Sequence, residues 1–225
     1  PIGPWSLYRR VLPSPDGRYV LVQKISRPFS YVVPFNRFPT TTEVWNSDGT
    51  LAKRVAETPL QDGIPISNDA APIGPRDVSW RGGAPSTLTW AEAKDKGDPK
   101  NPAAKRDAFM TLSEPFTGAP QTVVELEYRY DGAEFAEDGS AMVTEGWNKT
   151  KRTRTWRLRT GAAPELLFDR SSEDRYGDPG DFLLTQGSHG YVLLASADKK
   201  ALYLSGAGAS PEGDRPFVDS YDVLT

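Results

Sequence analysis

The stretch Ser14-Pro15-Asp16-Gly17-Arg18-Tyr19-Val20-Leu21-Val22 decides the fold class. Proline presets φ for a turn and glycine accepts positive φ, while the aromatic and β-branched run that follows suits a pleated strand. A turn feeding a strand in this way is a hairpin signal. Outward from it the same grammar recurs. Glu43-Val44-Trp45 leads through Asn46-Ser47-Asp48-Gly49 into Leu51 to Val55. Asp77 to Trp80 and Thr87 to Trp90 flank Gly82-Gly83-Ala84-Pro85, and Ala133 to Phe135 and Ala141 to Thr144 flank Asp138-Gly139. Thr153 to Arg159 and Glu165 to Phe168 surround Gly161, and Tyr191 to Leu194 and Ala201 to Leu204 complete the series. Thr122 to Tyr130 reads as one alternating strand, with Val124, Leu126, Tyr128 and Tyr130 on one face and Glu125, Glu127 and Arg129 on the wet one. Residues 91–106 have the composition of a helix, but Gly97, Pro99 and Pro102 make them a polar loop with at most one turn.

The hairpins come in pairs. First hairpins turn near Asp16, Gly83, Asp138 and Ser188, and second hairpins near Asp48, Gly118, Gly161 and Gly208. Turns of one kind recur roughly every 40–70 residues, from the usual propeller blade repeat to somewhat beyond it. Two hairpins make a four-stranded antiparallel unit, which must stack on its neighbours to bury both faces. The expectation is therefore an all-β chain forming a β-propeller fragment of about four four-stranded antiparallel blades, at residues 5–60, 75–128, 132–170 and 180–225. A β-sandwich accounts for the strands but not for the paired repeat. An open arc would expose sheet surface and strand edges, which predicts pairing with a second copy or abnormal closure.

Composition limits the function classes. The chain has 225 residues, a net charge of -3, one histidine and no cysteine, with six Trp, nine Tyr and nine Phe. Such a charge exerts little pull on nucleic acid or anionic membranes, and no apolar run reaches the roughly 20 residues of a membrane-spanning helix. Without cysteine there is no disulfide or thiolate chemistry, and with one histidine a zinc site would rest on carboxylates alone, so no metal or other cofactor is implied. Neither the cytosol nor the periplasm is excluded.

Several stretches resemble the propeller of glutamyl endopeptidases, in the prolyl oligopeptidase family of serine peptidases. They are Ser14 to Val22, Arg27-Pro28-Phe29-Ser30, Val33-Pro34-Phe35-Asn36-Arg37-Phe38-Pro39, Val44-Trp45 before Asp48-Gly49, and Ile64-Pro65-Ile66. Val78 to Arg81, Pro85 to Trp90, Lys151 to Trp156 and Asp178-Pro179-Gly180 extend the likeness over most of the chain. The Ser-Pro-Asp-Gly element is common to many propellers, whereas the run from Arg27 to Pro39 is more specific. The resemblance implies a propeller that gates access to a C-terminal α/β-hydrolase domain of the same polypeptide and helps to select a peptide substrate. It also implies export in a bacterium and a chloroplast location in a plant. A free-standing propeller that binds protein or peptide partners, as TolB does, is the alternative.

No Gly-x-Ser-x-Gly elbow is present, so the chain by itself is not a serine-peptidase catalytic domain. Ser188 and His189 are adjacent in Gly187-Ser188-His189-Gly190, a turn that points them apart and assigns no catalytic residue. Asp169, Glu173, Asp174, Asp178 and Asp181 crowd together without calcium-loop spacing and with Arg170 and Arg175 among them, which reads as a solvated loop with internal ion pairs. Lys149, Lys151, Arg152, Arg154, Arg157 and Arg159 interleave with Trp147 and Trp156. Alternation sends Arg152 and Arg154 to one face and Arg157 and Arg159 to the other, toward carboxylates on neighbouring strands. Asn148-Lys149-Thr150 has the form of a glycosylation acceptor. Arg27 and Arg37 remain as candidate substrate-binding residues, because they lie in the most family-like run and a peptidase cutting after glutamate must offer a cation to a carboxylate.

Overall fold

The computed structural model describes residues 3–223, and their regular structure is almost entirely strand. Strands β1 (Leu7–Pro13), β2 (Tyr19–Ile25), β3 (Thr40–Asn46) and β4 (Leu51–Thr58) form one antiparallel sheet in chain order. Strands β5 (Arg76–Trp80), β6 (Thr87–Ala93), β7 (Asp107–Ser113) and β8 (Gln121–Leu126) form a second. Strands β9 (Arg129–Phe135), β10 (Ala141–Trp147), β11 (Arg152–Leu158) and β12 (Glu165–Ser171) form a third. Four-stranded meanders following one another along the chain are the blade units of a propeller.

The last segment departs from the regular plan. Strands β13 (Asp181–Phe182), β16 (Ala201–Gly206) and β17 (Phe217–Asp222) make a three-stranded sheet, while β14 (Leu184–Gly187) and β15 (Gly190–Leu193) make a separate hairpin. An isolated bridge between Ala195 and Leu202 links the two. The reason is local. Leu183 N–H donates to Tyr203 O at 2.8 Å and Tyr203 N–H donates to Leu194 O at 3.2 Å, so two segments share the same edge of β16.

The chain divides into two compact units, Pro1–Arg81 with Pro85–Tyr130, and Gly82–Ala84 with Asp131–Thr225. In the first, Leu21 and Val44 of one sheet pack with Val78, Leu88, Trp90 and Leu112 of the next and with Phe116. In the second, Met142, Leu193 and Leu202 form the packed cluster. The glycines at 82 and 83 follow from close approach: a Cβ on Gly82 would stand 2.1 Å from Tyr191 O.

Recurring polar devices mark the repeat. Ser14 Oγ donates to Asp16 Oδ1 at 2.6 Å and accepts from Tyr19 N–H at 3.0 Å. Ser196 Oγ does the same with Asp198 Oδ1 at 2.6 Å and Ala201 N–H at 3.0 Å. The Ser-x-Asp spacing thus closes a β-turn ahead of its strand in both units. Indoles are satisfied by glutamates: buried Trp45 donates to Glu43 at 2.9 Å and buried Trp90 to Glu92 at 2.7 Å, and half-buried Trp156 donates to Glu145 at 2.9 Å.

The reading of residues 122–130 as one strand is corrected. β8 ends at Leu126, and β9 begins at Arg129 in another sheet. Arg129, expected on the wet face, is buried. Its Nη1 pairs with Asp107 at 2.9 Å and its Nη2 with Asp95 at 2.6 Å, and its Nε donates to Asp69 O at 2.8 Å. Alternation breaks at the passage between sheets, and two carboxylates distant in sequence draw the guanidinium inward. Asp95 belongs to the loop 94–106, so this polar stretch is anchored rather than free.

Candidate functional site

The β2–β3 connection, residues 26–39, carries both candidate arginines. Its base is an extension of the ladder, with Ile25 opposite Thr40 and Ser26 N–H donating to Pro39 O at 2.9 Å. Pro28, Pro34 and Pro39 restrict its backbone. Arg37 closes a short 3₁₀ turn, Phe35–Arg37, and is buried. Its Nη1 donates to Ile64 O and its Nη2 to Pro65 O at 2.7 Å, while its own carbonyl accepts from Gln61 N–H at 3.0 Å. Burial pulls this guanidinium below its ordinary pKa. Arg37 therefore ties the loop to the 61–65 segment.

Arg27 stands on the opposite footing. It is exposed, with its Cζ 5.1 Å from the Phe29 ring centroid, and Phe29 in turn stacks on Phe38 at 5.8 Å. Among the described residues it has no carboxylate partner. Cation–π contact fixes the plane of a guanidinium and leaves its N–H fork open to a carboxylate. Arg9 of β1 lies in a similar way over Phe35, 5.2 Å from the ring centroid. Sequence reasoning missed Arg9, because nothing in the spacing of residues 9 and 35 announces the contact. Tyr31, Val32 and Phe35 add exposed apolar surface to the same loop. The arrangement can bind a carboxylate beside apolar groups. The two predicted arginines are thus brought to one loop but not to one surface.

The other sequence signals fall elsewhere. Ser188 and His189 form the tip of the β14–β15 hairpin, where Ser188 N–H donates to Glu137 Oε1 at 3.0 Å. Arg152 pairs with Asp169, as does Arg154 at 3.2 Å, while Arg159 faces Glu165 at 3.2 Å. A hydrogen bond from Arg152, joined by the charges of Arg154 and Arg152, outweighs burial and holds the Asp169 carboxyl below its ordinary range. In the acidic stretch Arg170 meets Asp178 at 2.8 Å, whereas Arg175 reaches outside it to Asp214 at 3.3 Å. Asn148 sits at the exposed start of a short 3₁₀ turn, Asn148–Thr150.

Known proteins resemble the whole chain. It is 39% identical over 234 aligned positions to a probable chloroplastic glutamyl endopeptidase of Oryza sativa subsp. japonica, covering 100% of this chain and 25% of the relative. The match to a probable chloroplastic glutamyl endopeptidase of Arabidopsis thaliana is 40% identical, covering 100% of this chain and 24% of the relative. The chain is glutamyl endopeptidase-like. It spans about a quarter of the length of the curated relatives it matches. Pyrococcus horikoshii acylaminoacyl peptidase shares the fold at a TM-score of 0.50 and 13% identity, over 96% of this chain and 32% of that one. No known family profile matches the chain.

Proposed function

We propose that this chain is the non-catalytic β-propeller part of a serine peptidase, gating access to an α/β-hydrolase domain and helping to select its peptide substrate. The observation that carries this reading is the whole-chain likeness, at 39–40% identity, to glutamyl endopeptidases of which the chain spans a quarter. The same likeness favours it over a free-standing TolB-like binding module. Acyl transfer needs a nucleophile, a base and an oxyanion hole held together. The chain's one histidine sits on a hairpin tip beside its neighbour serine, so peptide hydrolysis belongs to the remainder of the parent enzyme.

Within this role Arg27 offers the cation that an acidic side chain requires, and Arg37 positions the loop that presents it. An exposed guanidinium held on a ring, without a carboxylate of its own, supports the first assignment. Two buried bonds from Arg37 to main-chain carbonyls support the second. The test is Arg27→Ala in the full-length peptidase, comparing cleavage after Glu and after Gln. Selective loss on the Glu substrate, about 10-fold or more in kcat/KM, is expected for a charge-assisted contact. Equal loss on both substrates would refute charge recognition.

A further inference from the structure

We propose that a cavity in the second unit binds an alkylammonium group, with Glu134 accepting hydrogen bonds from its N–H donors. The cavity encloses about 290 Å³. Its floor follows from strand register: Thr144 of β10 lies opposite Thr155 of β11, which lies opposite Phe168 of β12. One face of the sheet therefore presents two hydroxyls and a ring in a row. Phe182 of β13 stands 6.4 Å from Phe168, and Asp131 and Glu134 of β9 and Asp181 of β13 are the acidic residues of the lining.

Charge pairing makes this place unlike the rest of its sheet. Glu145 and Asp169 face Arg154, and Glu165 faces Arg159. Glu134 and Asp181 have no cation partner among the described residues. Arg170 also lines the cavity, but its Nη2 is engaged with Asp178 at 2.8 Å and its Nη1 with Ser171 O at 3.3 Å. Burial pushes the Glu134 carboxyl above its ordinary range, and the neighbouring charge of Asp181 pushes it further. A half-buried carboxylate next to a second one lacks a counter-charge, and the space beside it is large enough to hold one.

The chemistry of the lining selects the kind of cation. Among the described residues no group of three or more His, Cys, Asp or Glu is placed to hold a metal ion. A primary ammonium needs less, since its three N–H donors are met by carboxylate and hydroxyl oxygens. Two phenyl rings suit both its charge and its methylene stem. Such a group occurs on a lysine side chain and at the amino terminus of a peptide.

The experiment titrates the 225-residue chain with n-butylammonium chloride, following backbone and side-chain NMR shifts around Thr155, Phe168 and Phe182. Saturable shifts are expected, with n-butanol at least about 10-fold weaker and Glu134→Gln weakening butylammonium about 10-fold. Nα-acetyl-lysine amide and glycinamide then distinguish the source: tighter binding of the first assigns a lysine side chain, and of the second an amino terminus. Equal binding of butanol overturns the proposal on the unaltered chain, whatever the variant does to folding. Full affinity in Glu134→Gln, absence of saturation, or displacement of butylammonium by calcium chloride overturns it equally.

Discussion

Asp95 and Asp107 in the first unit have side chains with 0% exposure, and each is met by two arginines. Glu134 in the second unit is only half-buried, yet among the described residues no arginine or lysine is paired with it. In the first case Arg129 bridges both aspartates, Arg106 joins Asp95 at 2.9 Å, Arg76 joins Asp107, and Tyr130 N–H donates to Asp107 at 2.6 Å. The difference teaches how to separate structure from function among buried charges. A carboxylate whose acceptor positions are filled by the protein fastens the fold, whereas one left unfilled beside a cavity is available to a ligand.

Several measurements would break or sharpen this contrast. The largest effect is expected from Asp107→Asn, which takes a carboxylate partner from both Arg76 and the buried Arg129 and should cost about 3–5 kcal/mol, read as a fall in Tm of roughly 10 °C. Adding Arg76→Met should recover part of that loss, because an uncompensated charge costs more than an absent pair. A change of under about 1 kcal/mol for Asp107→Asn alone would end the view of this network as a fastener.

Arg37→Ala should come next, at about 2–3 kcal/mol, because two carbonyls lose their donors at a buried site. Arg27→Ala should stay within about 0.5 kcal/mol, as an exposed side chain does. Chemical denaturation of both variants checks the pair, and equal losses would erase the distinction drawn between the two arginines.

Asp16 gives a pH-dependent effect. Burial alone would raise its pKa, but hydrogen bonds from Ser14, Ser86 and Arg18 outweigh burial and lower it to about 2. A carboxyl depressed in the folded state stabilises above its unfolded pKa of about 4, and this contribution vanishes as pH falls through about 2. Asp16→Asn should therefore lower stability by about 1–2 kcal/mol at pH 7 and converge with the parent near pH 2. Parallel stability curves between pH 6 and pH 2 would contradict this origin.

Glu134 gives an effect of the opposite sign. A carboxyl raised in the folded state destabilises that state at neutral pH, so Glu134→Gln should leave Tm unchanged or raise it by up to about 1 kcal/mol equivalent. A Tm loss comparable to that of Asp107→Asn would show that Glu134 fastens the fold after all.

Much of the architecture was legible along the chain, because hairpins are local. Pro15-Asp16-Gly17 and Asp48-Gly49 specify turns through their own dihedral preferences, and strand runs between them alternate by geometry. The family-like run around Arg27 was legible for the same reason, as a continuous string. Sheet membership at the passages was not legible. The single strand expected over 122–130 became two strands in different sheets, and residues 181–195 split their pairing with β16.

What the sequence determined by itself is the class and the repeat, all-β meanders of blade size, since turn chemistry and period-two patterning act over a few residues. Tertiary structure alone decided which charges are partners. The carboxylates of Asp95 and Asp107 and the main-chain carbonyl of Asp69 converge on Arg129, Arg27 stays exposed while Arg37 is sealed, and Glu134 lines a cavity with no cation paired to it among the described residues. Burial and ion pairing depend on residues brought together from distant positions, and no local pattern encodes that meeting.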